Sequence, residues 1–149
     1  MNRRSEALWL PPNLPKLDNM TPLSHSHLTL VVVPSLLTSV GSVRSAIDNL
    51  EIHNLVNTDD NLGFALRGDL KSASDEHTPG DAVILQAAHE GIAELNCRYG
   101  DGETRGPFHL FVRSRLLNEV ESTWMGWERK RGALTELARL LRGAGDTSI

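Results

Sequence analysis

Short apolar runs alternate with longer amphipathic stretches along the chain, and this alternation predicts the secondary structure and its order. Three runs rich in β-branched, leucine or phenylalanine residues, at residues 28–33, 62–66 and 108–112, have the length of buried strands. The first run stops at Pro34, which cannot donate a hydrogen bond to a strand ladder. The second run stops at a polar Arg-Gly-Asp sequence at residues 67–69.

The segment after the first strand has the spacing of an amphipathic helix. Ser39 or Ser42 can cap its N-terminus, because a serine hydroxyl accepts a hydrogen bond from an unpaired backbone N–H group. Apolar residues then recur at intervals of three and four, which places them on one face. These residues are Val40, Val43, Ile47 and Leu50. We predict that this helix ends near Asn57, ahead of a polar turn.

A second helix is predicted between the second and third strands. Thr78 is its cap, Pro79 takes the first helical position, and Asp81 lies three residues after the cap. The buried face carries Ile84, Leu85, Ala88, Ile92, Leu95 and Tyr99. Gly100 is expected to end the helix in the left-handed conformation that glycine adopts readily.

The order of strands and helices predicts an α/β fold. Helices of this length between short buried strands favour parallel pairing with right-handed crossovers, so we expect a partial doubly wound, Rossmann-like, mostly parallel sheet flanked by helices. Residues 28–149 form this domain, and residues 1–27 form an extended arm because four prolines interrupt them. In such sheets ligands bind beyond the carboxyl ends of the strands.

Composition narrows the class of protein. Hydrophobic residues make up 40% of the chain and charged residues 23%, as is ordinary for a globular domain. The net charge of −4 provides no basic field, so nucleic acid is not an expected partner. Residues 19–43 lack acidic and basic side chains, but their continuous apolar run covers only residues 30–33. Because a spanning helix needs about 20 apolar residues, no membrane segment is predicted.

The segment at residues 124–132, Trp-Met-Gly-Trp-Glu-Arg-Lys-Arg-Gly, is the most distinctive in the chain. It holds two of the three tryptophans and three consecutive cations. It leads into a third helix, which we expect to begin between residues 127 and 132 and to end at Gly143. Cations and a glycine at a helix N-terminus suit phosphate, because the first backbone N–H groups there lack partners. The alternative interpretation is a solvated basic turn.

The third helix and the tryptophans before it each raise a packing question. The helix is expected to present four leucines on one side: Leu134, Leu137, Leu140 and Leu141. Trp124 and Trp127 are three residues apart, a spacing at which they could share a helix face and pack in the core. Alternatively, one of them forms an apolar platform for a sugar ring.

Residues 124–149, with the sequence WMGWERKRGALTELARLLRGAGDTSI, resemble a segment of the glycosyltransferase domain of bacterial cyclic β-1,2-glucan synthases. Three further segments resemble these enzymes in the same order: residues 14–18, residues 29–38, and residues 50–57 followed by 64–66. Together the segments cover nearly the whole chain. The resemblance implies a GT-A fold, UDP-glucose as donor and β-1,2-linked glucan as product. It also implies a divalent cation, Mg²⁺ or Mn²⁺, as the family's cofactor.

The resemblance further implies a nucleotide-binding site at the strand ends. In related nucleotide-sugar transferases an acid at the end of the second strand contacts the uracil, and Asp69 stands at that position. Pro34 belongs to the same predicted pocket. The predicted diphosphate partners are Arg129, Lys130, Arg131 and Gly132. The alternatives are that Asp69 only stabilises its own turn, and that at least two of the three cations face water.

No catalytic or metal-binding residue is predicted in this chain. The resemblance implies that the aspartate motif for the metal, and the general base, follow the segment at which this chain ends. Ser72 stands where the synthases usually have aspartate, and Ala133 where they usually have lysine. We therefore expect the nucleotide-sugar-binding half of a truncated glucosyltransferase, inactive on its own.

The expected partners are UDP or UDP-glucose, together with a second copy of the chain or a missing C-terminal portion. The resemblance implies a cytoplasmic location, because the synthases are inner-membrane enzymes with a cytoplasmic transferase domain. The alternative function is that of a non-catalytic α/β remnant or interaction module. In that case a partner would cover the open edge of the sheet.

Overall fold

A three-stranded parallel sheet forms the centre of the structure, a computed structural model. It describes residues 28–57, 59–100, 106–126 and 129–149, with the backbone alone at 129 and 130. The sheet order is β1 (Thr29–Leu37), β2 (Leu62–Leu70), β3 (Phe108–Arg113), and the intervening helices are α1 (Val40–Val56) and α2 (Asp81–Tyr99). A hairpin of β4 (Leu116–Asn118) and β5 (Thr123–Met125) precedes α3 (Arg129–Leu141). The predicted α/β class with a parallel sheet is confirmed, while the predicted arm at residues 1–27 lies outside the described residues.

The first two strands are longer than predicted. β1 continues through Pro34 to Leu37, because it lies at the edge of the sheet, where a proline is tolerated. β2 continues through Arg67 and Asp69 to Leu70, with Pro34 opposite Arg67 in register. The prediction that β2 ends before residue 67 is therefore wrong. Charged side chains can occupy this strand because they neutralise one another on the sheet surface.

Alternation along the strands gives the sheet two different faces. On the first, which we call the apolar face, the register aligns Val31, Phe64 and Phe108, and then Val33, Leu66 and Leu110. Both α1 and α2 pack on this face, through Ala46 and Leu50 from α1 and Ile92 and Leu95 from α2. A second cluster, which includes Leu37, Val43, Leu70 and Ala88, continues this core toward the carboxyl ends of the strands.

The N-terminal cap of α1 matches the sequence prediction. The Ser39 hydroxyl accepts a hydrogen bond from the Ser42 N–H at 3.1 Å, and the Ser42 hydroxyl accepts one from the Ser39 N–H at 3.0 Å. This reciprocal capping box fixes the turn that leads from β1 into the helix. The helix ends before Asn57, as predicted.

The ends of α2 differ from the prediction in detail. Thr78 and Asp81 do pair, but the Thr78 N–H and hydroxyl donate to the Asp81 carboxylate at 2.7 and 2.8 Å, and the helix begins at Asp81. Gly100 has φ −80°, so the predicted left-handed end is wrong. Asn96 instead connects the last turn to β3, because its amide donates to the Phe108 carbonyl and accepts from the Phe108 N–H, both at 2.9 Å.

The third helix begins and ends where predicted, but its buried face differs. It starts at Arg129, and Gly143 follows it with φ +89°, the left-handed conformation that favours glycine. Leu137 is buried as predicted, whereas Leu134 and Leu141 are exposed. The buried side carries Ala133 and Glu136 instead, because this helix lies against a charged surface.

The hairpin of β4 and β5 was not predicted, and it changes the interpretation of Trp124. Trp124 lies in β5, paired with Leu117 of β4, and it exchanges two backbone hydrogen bonds with Ala73 at 3.0 and 2.9 Å. The idea that Trp124 and Trp127 share a helix face is therefore wrong, since Trp124 is in a strand and Trp127 lies outside the described residues. Over the described ranges, no helix combines the length and the apolar character needed to cross a membrane.

Candidate functional site

A cleft of about 530 Å³ lies at the carboxyl ends of β1 and β2. Its walls come from residues 34–36 of β1, from Arg67 and Asp69 of β2, from the loop that follows β2, and from Gly126. Parallel sheets bind ligands at this edge, because side chains and backbone groups from several loops meet there. Three stretches far apart in the sequence therefore contribute to one concave surface.

The sheet face opposite the apolar face, which we call the charged face, carries an ion network. The register aligns Leu36, Asp69 and Arg113 across the three strands, with Arg67 two residues before Asp69 on the same face. Arg113 Nε donates to Asp69 Oδ1 at 3.0 Å, and Arg113 Nη2 donates to Asp69 Oδ2 at 3.2 Å. This is the paired geometry that makes arginine–carboxylate contacts strong.

Two further charged groups extend the network. Arg67 Nη2 forms an ion pair with Asp69 Oδ2, so that carboxylate oxygen contacts two guanidinium groups. Glu136 Oε2 of α3 lies 4.0 Å from Arg113 Nη1. Glu136 also accepts a hydrogen bond from the Ser148 N–H at 3.4 Å and one from the Ser148 hydroxyl. The alternative that Asp69 only stabilises its own turn is wrong, because Asp69 is within β2 and pairs with Arg113 across the sheet.

Arg67 has fewer polar partners than its burial would require. The residue is 3% exposed, and among the described residues its Nε has no hydrogen-bond partner. Nη2 forms no hydrogen bond of good geometry either, although it contacts Asp69 Oδ2 as an ion pair. A buried guanidinium with unused donors is costly, because its N–H groups lose water without replacement.

The loop after β2, which walls the cleft through Lys71 and Ser72, is fixed by Arg115. Arg115 Nε donates to the Lys71 carbonyl at 2.7 Å, and Nη1 donates to the Glu76 carbonyl at 2.8 Å. The same guanidinium donates two hydrogen bonds to the Asp81 carboxylate, from Nη1 at 2.5 Å and from Nη2 at 2.9 Å. The hydrogen bonds from Arg115, and to a lesser extent those from Thr78, hold the pKa of Asp81 well below its usual range.

The predicted nucleotide-binding residues lie in two groups. Pro34 and Asp69 both line the cleft. Gly126, in the segment before α3, approaches so closely that a Cβ atom there would be 2.5 Å from Arg113 Nη2 and 3.3 Å from Asp69 Oδ1. Arg129 is three residues farther along, so its Cα is at most about 11 Å from that of Gly126.

The basic residues themselves begin α3. Arg129 and Lys130 occupy its first turn, Arg131 is exposed, and Gly132 is buried. The start of this helix and Asp69 therefore lie close to the same cleft, and the role of the four residues in binding diphosphate stays a prediction.

Three arginines of the site were missed: Arg67, Arg113 and Arg115. For Arg67 the signal was its spacing of two from Asp69, since residues two apart in a strand share one face. Arg115 lies between β3 and β4, where no such spacing applies. The predicted strands stopped too early for that spacing to be read in this way.

A larger groove, of about 860 Å³, lies between α1 and α2. The charged residues that line it, Arg44, Asp48, Glu90 and Glu94, are all exposed to solvent. Because its charged groups are solvated and it lies away from the strand ends, this groove lacks the buried polar groups of a specific small-molecule site. The cleft beside Asp69 is the better candidate.

Comparison with known proteins agrees with the resemblance in the sequence. Over 122 residues, 81% of this chain, the sequence is 49% identical to the cyclic beta-(1,2)-glucan synthase NdvB of Rhizobium meliloti (strain 1021). The chain is related to the cyclic β-1,2-glucan synthases. The predicted resemblance to these synthases is thereby confirmed, and the match spans 4% of the length of that enzyme. No protein-family model matches the chain.

Proposed function

We propose that this chain is the nucleotide-sugar-binding half of a glucosyltransferase domain related to cyclic β-1,2-glucan synthesis, with UDP-glucose as the donor. The observation that carries the proposal is the cleft in which Pro34, Asp69 and Gly126 meet at the ends of parallel strands. Its position is the one at which open α/β sheets bind nucleotides. The similarity to a glucan synthase supplies the substrate class.

Asp69 is suited to recognise the base. A carboxylate offers about four acceptor positions, and three of them here face arginine N–H groups. The fourth, on Oδ1, can accept a hydrogen bond from the imide N–H of uracil. Arg113, which donates to both carboxylate oxygens, would keep the carboxylate oriented for that contact.

The start of α3 is suited to the diphosphate. Its first backbone N–H groups have no partners within the helix, and the positive end of the helix dipole favours anions. Arg129, Lys130 and Arg131 add cationic charge in the first turn. Gly132 keeps this turn free of a side chain that would hinder the approach of phosphate oxygens.

The divalent cation that the resemblance implies does not fit the described residues. Asp69 is the one carboxylate among the described residues that line the cleft, and both its oxygens contact arginine. No cluster of three or more potential ligands from histidine, cysteine, aspartate and glutamate occurs within the described ranges. We therefore propose no metal site on the described residues, and we expect no glucosyl transfer by this chain alone.

Isothermal titration calorimetry with UDP and with UDP-glucose tests the proposal. We expect saturable binding that weakens at least tenfold in Asp69→Asn, which keeps the side-chain size but loses the ionised acceptor. Asp48→Asn, an exposed site on α1, should bind like the original chain. Circular dichroism of each variant confirms that it is folded.

Two results would contradict the proposal. If the pure chain released UDP from UDP-glucose, the expectation that it is inactive on its own would be wrong. Absence of UDP binding by the folded chain would favour the other candidate function, a non-catalytic interaction module. One observation favours that alternative: Asp69 is 14% exposed at its side chain and is already paired with two arginines, as a purely structural carboxylate would be.

A further inference from the structure

The charge of the cleft is opposite in sign to that of the chain. The chain carries a net charge of −4, yet two cations, Arg67 and Lys71, line the cleft against one carboxylate, Asp69. Arg113 lies behind Asp69 and is itself close to Glu136. The cleft therefore has an excess of positive charge, which favours an anionic ligand.

Arg67 is the group in this cleft whose bonding is incomplete. Its side chain is buried to more than nine-tenths, and among the described residues its one ionic contact is with Asp69. Nε has no hydrogen-bond partner there. A guanidinium has five N–H donors, and an anion with several oxygens could satisfy those that Asp69 leaves unused.

We propose that Arg67 and Lys71 form an anion subsite inside the cleft and that this subsite takes the diphosphate of the ligand. This rests on the proposed function for the identity of the nucleotide, but the subsite itself follows from the buried guanidinium. Arg67 supplies a forked, desolvated contact, and Lys71, which is exposed at the rim, supplies a mobile charge. The diphosphate would then extend from the first turn of α3, proposed above as its partner, into this deeper subsite.

Calorimetric titration with inorganic pyrophosphate, UDP and uridine tests the subsite. Pyrophosphate and UDP should compete for one site. Arg67→Met should weaken both at least tenfold and leave uridine binding unchanged, because methionine fills similar space without the charge. Lys71→Met should weaken them about threefold, as expected for a solvated cation. Arg67→Met retains the two-point contact between Arg113 and Asp69, so the variant should fold, and circular dichroism checks this.

Two controls separate the subsite from general charge effects. Arg44→Met removes an exposed cation on α1 and should leave all three titrations unchanged. Arg131→Met removes an exposed cation of α3, and it should weaken pyrophosphate less than Arg67→Met does. If Arg131→Met lost more pyrophosphate affinity than Arg67→Met, the subsite would be overturned, and the first turn of α3 would be the main partner of the diphosphate.

The results also separate this inference from the proposed function. If UDP binds equally well to the original chain and to folded Arg67→Met, the inference fails and the proposed function stands. If pyrophosphate binding depends on Arg67 but UDP binds no more tightly than pyrophosphate, the inference stands and uridine recognition fails. If the original chain binds neither pyrophosphate nor UDP, both are overturned.

Discussion

The two faces of the central sheet are held by different forces, and the difference decides what each can do. On the apolar face, Phe64, Leu66 and Phe108 pack against α1 and α2. Burial of their side chains stabilises the fold in proportion to the area buried and does not depend on bond angles. On the charged face, Asp69 lies between two arginines, and its contacts depend on angle and distance. A surface of the first kind builds a scaffold, whereas one of the second kind can recognise a ligand.

The largest expected effect comes from a change on the apolar face. Phe64→Ala removes a ring that is 1% exposed and lies 5.9 Å from the Phe108 ring, centroid to centroid. We expect a loss of about 4 kcal/mol in the free energy of unfolding, from transfer and cavity terms together. Urea denaturation measures this loss. Where the variant is still folded, its affinity for UDP should be unchanged, and a loss of affinity would show that the two faces are not separable.

A somewhat smaller effect is expected from the charged face. Arg113→Met leaves Asp69 with one arginine instead of two, and leaves Glu136 facing a methionine. Removal of one partner from a buried ion pair costs about 3 kcal/mol. Unlike the change on the apolar face, this one should also weaken UDP binding, because Asp69 loses its orientation. Parallel denaturation and calorimetry would contradict the comparison if stability fell but affinity did not.

The smallest effect concerns the ion pair that borders the charged face. Because Arg115 holds the pKa of Asp81 low in the folded state, the pair stabilises the fold above the unfolded pKa of aspartate, about 3.9. This stabilisation is lost as the pH falls toward the lower folded pKa.

We therefore expect Asp81→Asn to cost about 2 kcal/mol at neutral pH, and the cost should shrink as the pH falls below about 4. Urea midpoints measured across this range, with the exposed Asp48→Asn as control, test it. A cost that does not change with pH would mean that the Asp81 carboxylate is not the group that titrates.

The apolar face could be predicted from sequence because its signal is local. Val43 and Leu50 follow the helical spacing, and four of the six residues of strand β3 are apolar, so each pattern predicted the right element. The ends of β1 and β2 could not be read in the same way. Pro34 and Arg67 are unfavourable within an interior strand. The position of β1 at the edge permits Pro34, and the ion pair with Asp69 on the same face of β2 permits Arg67.

The candidate site was predictable only in part, for the same reason. The position of Asp69 near the end of a strand pointed to the correct edge of the sheet, and the segment before α3 does approach it. Of the two arginines that contact Asp69, Arg113 comes from the neighbouring strand, and its contact depends on the register between β2 and β3. Register is a property of the folded sheet that no local window of sequence contains.

The single guanidinium of Arg115 joins the loop after β2, the first turn of α2 and the chain that leaves β3. Because all three segments bond to one side chain, they should open together as one cooperative unit rather than separately. Backbone amides in the Lys71–Glu76 stretch and at the start of α2 should consequently exchange with deuterium at a common rate, and solvent should enter the cleft from that side only when the whole unit opens.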